Sequence, residues 1–89
     1  MANVTLDALT TEWVDATTEY SLTSEKDYLI QNRGADFCLA LDSATAPQAG
    51  DVDGVLIPNL MQAHYKAGSG HLYVRAYSGT CSINISEAE

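Results

Sequence analysis

Along almost the whole chain, apolar and polar residues alternate with a period close to two, the spacing of half-buried strands rather than of helices. The run HLYVRAYSGTCSINIS at 71–86 shows it most clearly, with Ser78-Gly79 between two alternating segments, a short-range hairpin signal. A two-residue turn there sets Ala76 opposite Cys81, Val74 opposite Ile83 and Leu72 opposite Ile85, so one face is entirely small or apolar. The reverse face pairs Tyr77 with Thr80, Arg75 with Ser82, Tyr73 with Asn84 and His71 with Ser86. It carries two aromatics and one of only four Lys and Arg residues in the chain.

The same period extends upstream. TEWVDA (11–16) and EYSLT (19–23) read as short strands, and the first ten residues read either as a helical turn through Val4, Leu6 and Leu9 or as an extended arm, which their Thr-rich, β-branched composition favours. KDYLIQN (26–32) and DFCLALD (36–42) are apolar on both faces. With Asn32-Arg33-Gly34 as a turn, they read as a central hairpin of one sheet. SATAPQAGDVDG (43–54) is a loop expected to cross between sheets, and GVLIP (54–58) is a short strand stopped by Pro58. NLMQAHYKAGSG (59–70) admits a helix from Pro58 to Gly68 or a strand over 60–65, and the strand suits its neighbours. The sum is an all-β fold: a compact single-domain antiparallel β-sandwich or barrel, jelly-roll-like, of about seven or eight short strands.

Length and charge narrow the function. At 89 residues the chain has room for one core, and a domain of this size hides roughly 60–65% of its unfolded surface, so association with other copies would add stability. Twelve acidic against four basic residues give a net charge of −8. That balance argues against nucleic acid and against anionic membranes as partners. The N-terminus lacks the basic and apolar regions of a signal peptide, so synthesis in a cytoplasm is expected. Nothing in the spacing brings Cys38 and Cys81 together, and a reduced, buried pair is expected.

Motifs that carry chemistry are sparse. His64 and His71 fall on different runs, and no Cys or His spacing suits a metal. Asp51-Val52-Asp53-Gly54 lacks the later ligands of a calcium loop and reads as turn chemistry. An enzyme using Cys38 or His64 is the weakest reading, and no cofactor is implied. The aromatic and cationic face is the stronger signal, because Tyr and Arg are enriched at interface hot spots. His71, Tyr73, Arg75 and Tyr77 are therefore the candidate interface, unless that face is simply a second buried side of the sheet. A carbohydrate-binding module, with Tyr65, Tyr73 and Tyr77 as stacking platforms, is the alternative.

The run YLIQNRGADFCLALDSATAPQAGDVDGVLIPN, followed by GSGHLYVRAYSGTCSINISE, resembles small β-domain proteins encoded among the structural genes of tailed bacteriophages. The shared features fall at Leu29 to Asn32, Ala46-Pro47, Gly54 to Pro58 and Leu72 to Glu87, about two-thirds of the chain. They are turns and strands, and no catalytic residue carries over. The longer LMQAHYKAGSG segment departs from the pattern. The resemblance implies a non-enzymatic virion accessory protein, for head decoration or stabilisation or for fibre or tail attachment. It also implies a homo-oligomer, a trimer above all, that binds capsid or tail proteins and is located in the virion.

Overall fold

The computed structural model describes every residue except 1, 2, 23, 24, 35, 49, 59 and 89, with the backbone alone for 3–8 and 88. Thr23 and Asn59, at the ends of two of the expected segments, lie outside the described residues. Eight strands and one helix follow in the order β1 (Asn3–Leu9), β2 (Val14–Asp15), α1 (Ala16–Tyr20), β3 (Asp27–Asn32), β4 (Cys38–Ser43), β5 (Val55–Ile57), β6 (Gln62–Lys66), β7 (His71–Ala76) and β8 (Cys81–Ala88). They form two antiparallel sheets, β1-β8-β3-β6 and β2-β7-β4-β5, in which β2 contributes only two residues. The expected sandwich is what the chain forms, and it is not a closed barrel.

The pairings β1·β8, β2·β7, β3·β6 and β4·β5 are those of one long hairpin, and β3·β8 with β4·β7 fold that hairpin across its own middle. This is the jelly-roll connection. Its consequence is that sequence neighbours separate. β7 and β8 lie in different sheets, so the expected ladder of Val74 with Ile83 is not formed; Val74 lies opposite Val14 and Ala40, and Ile83 opposite Leu6 and Asn32. The core assignment survives, because Leu72, Val74, Ala76, Cys81, Ile83 and Ile85 are all buried in one cluster. Two all-apolar rows serve a sandwich as well as they serve a hairpin, with one row on each sheet.

The expected 26–42 hairpin opens in the same way, with β3 in one sheet and β4 in the other. Both strands are central, as read, but β3 alternates strictly and buries only Tyr28, Ile30 and Asn32. Residues 43–54, expected to cross between sheets, instead return to the same sheet, since Cys38 pairs with Ile57. Gly54 permits that return. At its φ of +117° a Cβ would stand 2.5 Å from the Ala40 carbonyl oxygen, too close for any side chain. Residues 62–66 are a strand, and 3–9 are extended but paired with β8, with a shift of register between Leu6 and Leu9. The described part of EYSLT, 19–22, is not a strand. Asp15 caps α1, its Oδ1 accepting from the Thr18 amide at 3.0 Å, and Ser21 ends the helix in the left-handed region at φ 54°.

Two clips join the layers. Asn32, fully enclosed, donates from Nδ2 to the carbonyls of Asp36 (2.7 Å) and Ile57 (2.9 Å), and its Oδ1 accepts from the Gly34 amide (2.9 Å). Its backbone N–H and C=O bind Met61 and Leu60, so one residue ties β3 to the end of β5 and the connection beyond it. A buried amide is stabilising only when it is satisfied this fully. The second clip is a disulfide between Cys38 and Cys81, Cα atoms 6.5 Å apart, at the starts of β4 and β8 in opposite sheets. It corrects the expected reduced pair: the inferred hairpin kept the two thiols apart, whereas the roll stacks their strands face to face. Closing a span of 43 residues restricts the unfolded chain, and the chain-entropy relation values that at about 4 kcal/mol. A reducing agent is therefore expected to lower unfolding stability by about that amount in urea titrations. An unchanged midpoint on complete reduction would contradict the cross-link's role.

Candidate functional site

The two sheets present different outer faces. On the β1-β8-β3-β6 sheet, Asp27, Leu29, Gln31, Ser82, Asn84 and Ser86 alternate with the core residues, which gives a mainly polar surface with Leu29 half-buried in it. On the other sheet Cys38, Ala40, Leu72, Val74 and Ala76 face the core, so Leu39, Leu41, His71, Tyr73 and Arg75 point outward. In register, Arg75 lies beside Leu39, and Leu39 beside Leu56 of β5. This outer face is apolar and aromatic, and all four sequence-predicted interface residues sit on or beside it.

The fold treats those four differently. Arg75 is only 5% exposed and Tyr73 only 9%. Trp13, one residue before β2, lies over the Arg75 guanidinium at 5.6 Å from the ring centroid. Arg75 donates from Nε to the Ala76 carbonyl (2.9 Å), from one terminal nitrogen to the Asp51 carbonyl (3.0 Å) and from the other to the Tyr77 carbonyl (3.3 Å). The 44–54 loop thus anchors through Asp51 on a buried cation. Carbonyl dipoles and an indole face compensate the charge, and no carboxylate among the described residues forms an ion pair with it. The cationic hot spot read from sequence is therefore used inside the chain. The reading of this face as a second buried side holds for Tyr73 and Arg75. Tyr77, 47% exposed, is not covered.

His71 belongs to a polar cluster at the lower end of the same face. Its Nδ1 meets Asp15 Oδ2 at 2.8 Å, and the ring stacks on Tyr73 with centroids 6.4 Å apart. Asp15 Oδ2 also accepts from the Thr18 hydroxyl at 2.9 Å, and Thr17 Oγ1 accepts from the Leu72 amide at 2.8 Å. One aspartate thereby caps α1 and fixes the histidine, fastening the helix to β7. Burial alone would raise the Asp15 pKa, but the hydrogen bonds from His71 and from the Thr18 amide and hydroxyl outweigh it and hold the carboxyl below its ordinary value. Nearby, burial and then the Asp42 carboxylate push the Tyr65 phenol up. Tyr65 and Tyr73, two of the three rings read as sugar platforms, are buried and offer no open face.

Sequence reading missed two features. The first is an exposed apolar strip. Among the described residues, the exposed large hydrophobics are confined to Phe37, Tyr77 and the 52–61 segment. The Tyr77 amide donates to the Phe37 carbonyl at 2.8 Å, and Phe37 continues the outward row of Leu39. Phe37, Tyr77 and Leu56 therefore share one outer surface, whereas Val55, opposite Ala40, is exposed on the other side of β5, and Leu60 and Met61 follow in the chain just beyond. The strip runs along β5, which ends its sheet and leaves its outer backbone groups unpaired by that sheet. A two-sided apolar count over 36–42 and 54–61 would have flagged it. The second feature is the Trp13 surface, hidden because Trp13 was read only as part of a strand.

Among the described residues no group of three or more His, Cys, Asp or Glu side chains is placed to hold a metal, and no helix is long and apolar enough to cross a membrane. No family model, curated protein or solved structure matches this chain.

The Asp15 cluster has a pH signature. A carboxyl held below its ordinary value of 3.8 stabilises the fold fully above that pH, and the contribution is lost as the pH falls through the lower folded value. In thermal melts the stability gap between the native chain and Asp15→Asn is expected to be largest above about pH 5 and to shrink toward pH 2. A gap independent of pH would refute the assignment.

Proposed function

We propose that this protein is a non-enzymatic structural part that associates with copies of itself and docks on a larger assembly. The observation that carries the reading is the apolar strip of Phe37, Tyr77 and Leu56 along an open sheet edge. An exposed, apolar edge strand is an aggregation hazard unless a partner covers it, and a small domain gains the buried surface it lacks by having one. Specific interfaces bury more than about 1,000 Å² in total, so the strip and edge together would have to be covered by each neighbour. The interface centres on Tyr77 and β5, while Tyr73 and Arg75 support it from beneath as the buried floor of the same face.

The particle class rests on the resemblance of the turn and strand pattern to small proteins of tailed bacteriophages. On that reading the assembly is a virion, the partners are capsid or tail proteins, and the oligomer is a trimer matched to a symmetric site. Two features support a role outside the reducing cell. The layers are cross-linked by a buried disulfide, a bond that persists in oxidising surroundings. The surface charge of −8 keeps free copies soluble before they dock.

Light scattering at micromolar concentration tests self-association directly. The native chain is expected as a closed oligomer, and Leu56→Asp as a monomer with unchanged circular dichroism. A native monomer that also fails to co-sediment with phage particles would overturn the proposal, as would a Leu56→Asp variant that assembles like the native chain.

A further inference from the structure

At the β2 edge of the same sheet, three strands away from β5, the 10–13 connection and the 44–54 loop meet in a cleft of about 220 Å³ lined by Thr11, Glu12, Trp13 and Pro47. We propose that this cleft binds one ring of a neutral saccharide, its apolar face laid against Trp13 and Pro47 and its hydroxyls bonded to Glu12 and Thr11. The site is separate from the β5 strip and does not depend on self-association.

Three observations select that ligand. The first is rigidity. The Thr10 carbonyl accepts from the Ala76 amide at 2.8 Å just before the cleft, and Val14 pairs with Val74 just after it. Between them the indole is held by Arg75, which is itself fixed on three backbone carbonyls. A platform immobilised before the ligand arrives costs little to order on binding.

The second is charge. An aromatic ring beside a carboxylate would ordinarily suit an ammonium ligand, but the Arg75 guanidinium already draws on the π density of the indole at 5.6 Å, which weakens its pull on a second cation. The Glu12 carboxylate and the net charge of −8 repel an anion. What remains is an uncharged molecule with an apolar face and donors at its rim.

The third is size. A cleft of this volume lies below the range of about 300–1,000 Å³ typical of sites for larger ligands, and holds a single ring. A proline-rich peptide also stacks on Trp, but it advances about 3.1 Å per residue and needs a groove of successive rungs. Among the described residues Thr11, Glu12, Trp13 and Pro47 line it, and they form one rung.

Trp13 is the only tryptophan in the chain, so intrinsic fluorescence reports from the cleft itself. The full-length protein would be titrated with maltotriose, cellotriose, chitotriose, mannotriose and galactobiose, with choline, sialic acid and a proline-rich peptide as charged and peptide comparators. At least one neutral sugar is expected to give a saturable change with half-saturation on the order of 1 mM. Glu12→Ala is expected to weaken it about tenfold with no change in melting temperature, Glu12 being exposed. A flat response to every neutral sugar at about fifty times that concentration would overturn the proposal. So would preferential binding of choline, sialic acid or the peptide, or undiminished sugar binding by Glu12→Ala.

Discussion

The antiparallel seating of β8 between β1 and β3 is the constraint on which the rest of this structure depends. Ile85 lies opposite Val4 on one side and Ile30 on the other, so the last strand closes a sheet with the first. Once β8 sits there, β7 must leave it and pair with β2 and β4, and the two apolar rows of the 71–86 segment face each other across the sandwich. Ile83 and Ile85 come from one sheet, Leu72, Val74 and Ala76 from the other, and together they fill the centre of the core. The disulfide and the Asn32 hub act at the end of the sandwich where these strands cross over. First-to-last pairing is also costly in chain entropy, because residues 3–9 wait for 81–88 before either is satisfied. A cross-link that reduces the freedom of the unfolded chain is a natural complement to such a topology.

The roll also decides what the surface offers. One sheet turns a mainly polar face to water, broken by Leu29. The other carries a buried cation under an indole, an Asp–His clamp and an apolar edge, all within four strands. The 44–54 loop separates these regions. It anchors on Arg75 through Asp51, walls the Trp13 cleft through Pro47, and delivers the chain into β5 at Gly54. Arg75 is the pivot of that face, and its charge contributes to loop placement and ring rigidity instead of to a partner.

Much of this was legible in the sequence, within limits that have a physical origin. Period-two alternation gives the strands and their buried faces, and it placed Leu72, Val74, Ala76, Cys81, Ile83 and Ile85 in the core correctly. Alternation is silent about which strand is the hydrogen-bonded neighbour. Ser78-Gly79 therefore suggested a tight hairpin where the chain makes a four-residue arch, with Gly79 at φ +66° and the Thr80 amide bound to Asp36 Oδ2 at 3.2 Å. That error also hid the Cys38–Cys81 bond, since strands inferred to lie apart are face to face. The α1 turn escaped because five residues give too little helical periodicity to outweigh the apparent alternation of Tyr20 and Leu22, whereas its Asp15 cap was a visible signal. Of the candidate site, the aromatic and cationic face was visible and its burial was not. Whether Arg75 meets solvent depends on Trp13 and Asp51, tens of residues away in sequence.

The central claim is that 71–86 crosses between sheets instead of pairing with itself. Backbone nuclear Overhauser contacts in the folded chain test it most directly. The account predicts cross-strand contacts of Ile85 with Ile30 and of Val74 with Ala40, and none between the backbones of Val74 and Ile83. A ladder of contacts from Ala76–Cys81 through Val74–Ile83 to Leu72–Ile85 would contradict the roll, and with it the outer face on which both proposed sites stand.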